Sequence, residues 1–353
     1  MRRAARRSHF PFGSFSLRLA SRSLAQLLLV VGGGVGVAAA QETEESPLPQ
    51  RLIFEAYENG NWDLFTIRSD GTDRVNLTAT TDRHELYPQV SPDGRFIAFL
   101  CDEERNGKTV RSVERMAIDG SGRTRIEEAV REPAWSPDSR SIVFAKQEFE
   151  RFDIADYVSK GLRVHDVETG ATRDAKNETI HHIYNPNVSP DGRWLVTTVH
   201  GGMGFRHGII GVEIDGERVM DLKIPGCRPS LSADGSRIAW SSDDHTISVA
   251  ELTWSDDGPR LSNPRVVHHE ETLHTYHPDL TPDGSHVVFS LGPGGRVLAD
   301  GPGTHTQVAE MIGVKGRWNL VVRRIDSDQP LRFLTTGDDA TSKEADWIPD
   351  SPR

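Results

Sequence analysis

The stretch P-Q-V-S-P-D-G-R-F-I-A-F, from Pro88 to Phe99, decides the fold because it recurs along the chain. In each copy a Pro-Asp-Gly turn, or a close variant of it, joins a short strand to an alternating apolar strand. Proline presets φ in such a turn, and glycine accepts a positive φ. Further full copies begin at Pro133, Pro186, Pro229 and Pro278, and a shortened copy, A-D-W-I-P-D-S-P-R, spans Ala345 to Arg353.

A second hairpin follows each copy. Most of these hairpins carry an Asp-Gly pair at the turn, as at Asp70-Gly71, Asp119-Gly120, Asp215-Gly216 and Asp257-Gly258. Two hairpins make a four-stranded sheet, and such sheets repeated around an axis make a β-propeller. The sequence therefore predicts an all-β fold, a six-bladed β-propeller over residues 51–353.

The two ends of the repeat region predict how the ring closes. The shortened copy stops just after its turn, at Arg353, and the segment from Arg51 to Ala56 has the form of the strand that should come next. We therefore expect the C-terminal strand to pair with the N-terminal strands in the last blade. This closure leaves no exposed sheet edge.

The repeats also resemble a known family. The S-P-D-G-x-x-I-A-F copies, together with W-D-L-F-T-I-R-S-D-G at Trp62–Gly71, are similar to the repeats of TolB-like (WD40-like, PD40 repeat) β-propellers. The resemblance covers essentially all of residues 51–353 and implies the propeller fold. The residues that carry it are turn and core residues, so it implies little about function.

Residues 1–40 have the order of a secretory signal peptide. Arginines precede an apolar run from Leu24 to Val37, and Ala38-Ala39-Ala40 forms an A-x-A cleavage site. The run is short for a bilayer span and is interrupted by glycines, which favours cleavage over a membrane anchor. We expect a short linker over residues 41–50, a periplasmic or secreted protein, and no stable membrane insertion after cleavage.

The charge of the chain excludes some partners. Its formal net charge is -11, and residues 1–40 hold six arginines and no acidic residue, so cleavage makes the protein more acidic. An acidic surface repels phosphate groups, which argues against nucleic acid as a partner. The two cysteines, Cys101 and Cys227, are expected about three blades apart as buried thiols without a disulfide.

Strand order assigns the loops to two sides of the propeller. The turns inside the hairpins lie on one side, and the longer loops and the links between blades lie on the other, which we call the loop face. Histidines and arginines concentrate there, as binding residues do on variable loops. The predicted ligand-binding residues are His200, Arg206, His207, Arg228 and His305.

Three further histidines share one register. His84, His182 and His274 each lie four residues before the proline of the first, third and fifth copies. In a six-bladed ring they would be about 120° apart around the axis. Converging imidazoles could bind a divalent transition metal such as Mn, Zn or Fe. The alternative is that each histidine bonds a backbone carbonyl at a blade junction.

Two functions remain open from the sequence. The first is a non-enzymatic binding scaffold that engages a periplasmic protein or an oligosaccharide through the histidine-rich face, since the sequence contains no complete catalytic motif. The second is implied by a local resemblance of His277-Pro278 to oligogalacturonate lyases, which are propellers with a histidine-lined metal site. A metal-assisted lyase needs a bound metal and a base, for which a neutral histidine is suited. We favour the scaffold and assign no catalytic residue.

Overall fold

The computed structural model describes residues 48–148, 158–298, 306–337 and 341–350. The predicted signal peptide, most of the linker and His305 lie outside these residues. The described residues form strands and turns, with no α-helix. The described residues form no helix that is long and apolar enough to span a membrane.

Six antiparallel four-stranded sheets form the blades, which we number in the order of the Pro-Asp-Gly copies. Within each of blades 1 to 5 the four strands lie side by side in chain order, whereas in blade 6 the C-terminal strand lies beside the first of the three N-terminal strands. Blade 6 begins with β1 (Arg51–Glu58), β2 (Asn61–Arg68) and β3 (Val75–Asn76); blade 1 contains β4 (Arg83–Val90), β5 (Phe96–Arg105), β6 (Lys108–Ala117) and β7 (Thr124–Glu128); blade 2 contains β8 (Val130–Trp135), β9 (Ser141–Gln147), β10 (Ser159–Asp166) and β11 (Thr172–Asp174); blade 3 contains β12 (Ile183–Val188), β13 (Trp194–His200), β14 (His207–Glu213) and β15 (Val219–Asp221).

The remaining strands complete the ring. Blade 4 contains β16 (Cys227–Leu231), β17 (Arg237–Asp243), β18 (Thr246–Ser255) and β19 (Gly258–His269); blade 5 contains β20 (His274–Leu280) and β21 (His286–Gly292), then, after the small hairpin of β22 (Arg296–Leu298) and β23 (Thr306–Val308), β24 (Asn319–Arg324) and β25 (Arg332–Phe333); β26 (Ser342–Ile348) is the inner strand of blade 6.

Strand β26 closes the ring by pairing with β1. The pairing is antiparallel, with Arg51 opposite Ile348 and Ala56 opposite Ser342. The backbone N–H of Gln50 also donates a hydrogen bond of 2.8 Å to a carboxylate oxygen of Asp350. The described chain is thus a six-bladed propeller in which one blade combines both ends of the repeat region.

Apolar faces of neighbouring blades form the core. Phe54 and Leu52 of blade 6, for example, pack in one cluster with Val288 and Leu320 of blade 5. Successive side chains of a strand point to opposite faces, and Ile53, between Leu52 and Phe54, packs in a different cluster. Both faces of a blade therefore bury apolar area against its neighbours. Cys101 and Cys227 are both buried free thiols, as predicted.

Candidate functional site

In the five full copies the residue before the first proline lies at a β-bulge of an innermost strand, and Glu344, which precedes Ala345 in the shortened copy, lies at the equivalent bulge. The register of each inner pair shifts at this point. Five of the six residues have a left-handed backbone, with φ between 50° and 57°. Such a bulge re-aims a side chain, and here these side chains line the axial cavities. We call these six residues the channel ring: Tyr87, Glu132, Asn185, Arg228, His277 and Glu344.

Members of the channel ring bond across the propeller axis. Arg228 of blade 4 pairs with Glu344 of blade 6, with 2.5 Å between Nη1 and Oε1. The Nε2 atom of His277 lies 3.3 Å from the same oxygen. The side-chain amide of Asn185 donates to the Tyr87 hydroxyl at 3.4 Å. Burial lowers the pKa of His277 well below its usual value, so its imidazole is neutral at physiological pH.

A segment of the blade 5 insertion covers the channel ring on the loop face. We call Ala309–Val314 the plug; it is almost completely buried. Lys343, also fully buried, donates hydrogen bonds from Nζ to the carbonyl oxygens of Ala309, Met311 and Val314. The carbonyl oxygen of Glu310 in the plug accepts from Arg228 at 2.6 Å and from His277 at 2.7 Å. Buried cations thus anchor the plug through its backbone.

The plug leaves little space in the channel. One cavity, of about 20 Å³, lies beneath Met311 and Ile312; another, of about 40 Å³, lies within the channel ring. Cavities of this size hold one or a few waters. The buried acceptors Glu132 Oε2 and Asn185 Oδ1 have no hydrogen-bond partner within the described residues, so a bridging water suits this position. A substrate-sized ligand does not fit while the plug is in place.

Lys343 forms a perturbed buried pair with Glu55. Their Nζ and Oε1 atoms are 3.8 Å apart, and neither side chain is exposed. Burial lowers the pKa of Lys343 to about 8 and raises the pKa of Glu55 to about 7. Both shifts have the direction expected when desolvation outweighs the attraction between the two charges.

Two carboxyl groups face each other at the opposite end of the channel. Asp279 and Asp346 share a side-chain hydrogen bond, and burial raises the pKa of Asp346 to about 6 and that of Asp279 well above its usual value. Ser230 donates to Asp279 at 2.8 Å, and the backbone N–H of Val90 donates to Asp346 at 2.5 Å. The two groups therefore hold a proton between them near neutral pH.

A larger pocket opens on the loop face beside the plug, between blades 5 and 6. Its volume is about 640 Å³, and the described residues that line it include Tyr57, Leu298, Lys315 and Arg317 but no carboxylate. The ammonium of Lys315 lies 4.7 Å from the centre of the Tyr57 ring. Within the described residues neither Lys315 nor Arg317 forms a salt bridge. We call this cationic and partly apolar space the blade 5–6 pocket.

The three histidines of the predicted metal site have separate partners. His84 Nδ1 lies 3.3 Å from the backbone nitrogen of Trp62. His182 contacts the carbonyl oxygen of Gly201 and the carboxylate of Glu148. His274 Nδ1 lies 2.6 Å from Glu310 Oε1. No group of potential metal ligands in the described part of the chain joins these histidines, so the metal site there stays a prediction.

The predicted ligand-binding residues lie in different surroundings. His200 and His207 face each other on the loop face, with 3.2 Å between their Nδ1 atoms. Arg206 precedes His207 and is exposed. Arg228 belongs to the channel ring and is buried beneath the plug, away from open solvent. His305 lies outside the described residues.

One other group has the spacing of metal ligands. Atoms of Cys101, Glu103 and Glu114 all lie within 4.8 Å of one another. However, Arg123 bonds both Glu114 and Cys101, at 2.5 and 3.1 Å. The guanidinium of Arg125 contacts both carboxylates as well. Burial raises the pKa of the Cys101 thiol to about 12, so the thiolate that metals prefer is disfavoured. Arginine cations already neutralise this group.

These features define a class: a closed six-bladed β-propeller whose axis is filled by charged side chains and a plug, with an open pocket on the loop face. No protein-family model and no curated protein matches the chain.

Solved structures match the fold at low sequence identity. TolB from Acinetobacter baumannii shares 17% identity at a TM-score of 0.59, over 85% of this chain and 67% of that chain. Hydrazine synthase from Kuenenia stuttgartiensis shares 12% identity at a TM-score of 0.57, over 87% of this chain and 48% of that one. An oligogalacturonate lyase in complex with manganese matches at 14% identity and a TM-score of 0.43, over 68% of this chain and 82% of that chain. Likeness at these identities shows a shared fold alone.

The channel ring and the plug were missed by the sequence analysis, although one signal pointed to the ring. The position before the first proline is polar or aromatic in all five full copies, and Glu344 holds the equivalent position in the shortened copy, before Ala345. A recurrent non-aliphatic residue at one register of an inner strand indicates a side chain that faces the axis. No comparable pattern marks the plug, because it occurs once.

Proposed function

We propose that the protein is an exported, non-catalytic binding scaffold that engages a partner protein through the loop face, with the blade 5–6 pocket as the principal contact. The observation that carries this proposal is the difference in size between the cavities of the axial channel and the blade 5–6 pocket. The channel is closed and holds only water-sized cavities of about 20 and 40 Å³, whereas the open pocket measures about 640 Å³.

The chemistry of the pocket favours a peptide segment with carboxylates beside an apolar side chain. Lys315 and Arg317 supply positive charge in a protein with a net charge of -11. Leu298 is 76% exposed at the rim and offers apolar area. Arginine, tyrosine and exposed apolar residues are typical of the centres of protein interfaces. Electrostatic complementarity would then steer an acidic partner to this site.

A glycan fits the pocket less well. Sugar rings stack on open aromatic faces, and Tyr57 is the only aromatic side chain among the described residues that line the pocket. The Lys315 ammonium lies 4.7 Å above its ring, and Trp62 packs edge-on at 5.4 Å. No observed contact supports a lyase, since the predicted metal ligands have separate partners.

The test is a selection of random peptides on the immobilised mature protein, followed by binding measurements on the enriched peptides. We expect acidic peptides with one apolar residue, whose affinity falls at least tenfold with Arg317→Glu, since a like charge replaces an attraction. Arg206→Glu, at another exposed site of the loop face, is the matched control. The proposal is contradicted if Arg317→Glu leaves peptide affinity unchanged, or if the protein converts oligogalacturonate to an ultraviolet-absorbing unsaturated product.

A further inference from the structure

His200 and His207 form a cross-strand pair at the end of the β13–β14 hairpin. They lie directly opposite each other in the antiparallel register. Their rings meet edge to face, with centroids 5.4 Å apart and an interplanar angle of 79°. The two Nδ1 atoms are 3.2 Å apart. The two Nδ1 atoms are therefore close enough to share one proton or one ion on the loop face.

This separation fits a shared metal ion. With metal–nitrogen bonds of about 2.05 Å, as for zinc, a nitrogen separation of 3.2 Å corresponds to a nitrogen–metal–nitrogen angle of about 100°. That angle is close to the tetrahedral value. The same position can instead hold a proton shared between the two rings, and the experiment below separates these occupants.

The hairpin holds the two histidines in place. Within the connecting loop, the backbone N–H of Phe205 donates to the carbonyl oxygen of Gly202 at 2.9 Å. The backbone N–H of Met203 donates to Nε2 of His181 at 3.1 Å, which ties the loop to the neighbouring link. A pair fixed by strand pairing and loop contacts loses little entropy when it binds a ligand.

Metals bind the neutral imidazole through a ring nitrogen that is not already engaged. His182 on the adjacent strand does not compete, because Gly201 and Glu148 engage both of its ring nitrogens.

We propose that His200 and His207 form a site for a divalent transition metal such as Cu²⁺, Ni²⁺ or Zn²⁺, with the two Nδ1 atoms as ligands. Imidazole ligands suit these ions, and Cu²⁺ should bind most tightly of the three. Both residues are exposed, so water or a carboxylate of a bound partner completes the coordination. This site is distinct from the predicted site at His84, His182 and His274, and it does not rest on the proposed function.

The test uses the mature chain purified without affinity histidines and titrated with Zn²⁺ and Cu²⁺ against a chromophoric chelator. The variant is His200→Ala/His207→Ala, and the matched control is His84→Ala/His182→Ala/His274→Ala. We expect one equivalent of metal in the parent and in the control, and its loss in the double variant. Circular dichroism of each variant shows that the fold is kept, and ¹⁵N shifts of the two imidazoles report Nδ1 as the bound atom.

Three results would overturn the proposal. The first is a parent protein that binds neither ion, which leaves only a proton between the rings. The second is a double variant that retains the metal. The third is loss of the metal in the triple variant with retention in the double variant, which would support the other set of histidines.

Discussion

Substitution of Lys343 by methionine tests whether this buried cation holds the plug. Methionine has a similar length but no charge and no donor, so the carbonyl oxygen of Val314 loses the hydrogen bond of 2.9 Å from Lys343. Ala309 keeps a bond of 3.3 Å from Trp318, and Met311 keeps one of 3.1 Å from the Val314 N–H. The main losses are therefore one buried acceptor and the partner of Glu55.

The expected cost follows from these losses. Removal of one member of a buried ion pair costs about 3–5 kcal/mol. The lower end applies here because two of the three carbonyls keep a partner and Glu55 can become protonated. We expect the free energy of unfolding to fall by about 3 kcal/mol, which corresponds to a decrease in Tm of about 5 °C for a domain of this size.

The assay is thermal and chemical denaturation of the parent, Lys343→Met and the control Lys315→Met, which removes an exposed lysine nearby. The control should stay within about 0.5 kcal/mol of the parent. Adding Glu55→Gln to Lys343→Met should recover about 1 kcal/mol, because it removes the uncompensated carboxyl group. A Lys343→Met protein as stable as the control, with unchanged amide exchange in the plug, would refute the anchoring role.

The stability of the parent should also depend on pH through Lys343. Its pKa is about 8 in the folded protein and 10.5 in the unfolded chain. The unfolded chain therefore binds more protons between these values, so the parent gains stability as pH rises through this interval. Lys343→Met lacks this gain, which denaturation at both ends of the interval would measure.

Two further substitutions probe other parts of the fold. The pKa of Asp346 is raised from 3.8 to about 6, so the folded protein binds more protons than the unfolded chain in this interval, and the parent loses stability as pH rises through it. Asp346→Asn, which can still bond Asp279, should remove about 1–2 kcal/mol of that loss. An unchanged dependence of stability on pH in this variant would contradict the assignment. Gly226 has a φ of +95°, and a Cβ there would overlap the carbonyl oxygen of Ser241. Gly226→Ala should therefore cost at least about 4 kcal/mol, whereas Gly192→Ala, with a φ of +72° but open space, should cost about 1–2 kcal/mol in the same denaturation assay.

The propeller could be predicted because its information is local and repeated. Each Pro-Asp-Gly turn and each alternating strand is specified by neighbouring residues, and repetition identifies the architecture. The two sides of the ring follow from strand order, which is why His200 and His207 were expected on the loop face. The register of the β13–β14 hairpin places them opposite each other, which is a local feature as well.

The charged channel could not be predicted in the same way. Arg228 and Glu344 are 116 residues apart in the chain and meet only across the axis. Arg228 was expected to face a ligand, since arginines near the loop face suit anions, but its guanidinium bonds Glu344 and the plug. The plug itself depends on contacts between an insertion in blade 5 and Lys343 in blade 6, and no local pattern encodes such a contact.

The repeat nevertheless restricts what can occupy the axis. Each blade contributes one residue at the bulge of its inner strand, and the bulge aims the side chain inward. Any charge at that register must then be compensated by another member of the channel ring or by the plug, because a buried charge without a partner is costly. Arg228 and Glu344 satisfy this requirement directly, and Lys343, one residue earlier, satisfies it through Glu55 and the plug carbonyls. Glu132, the remaining charged member, lines its cavity together with Arg111 and Arg131. Most of the charge on the axis is therefore compensated from within the protein, and for this reason we place ligand binding on the open loop face.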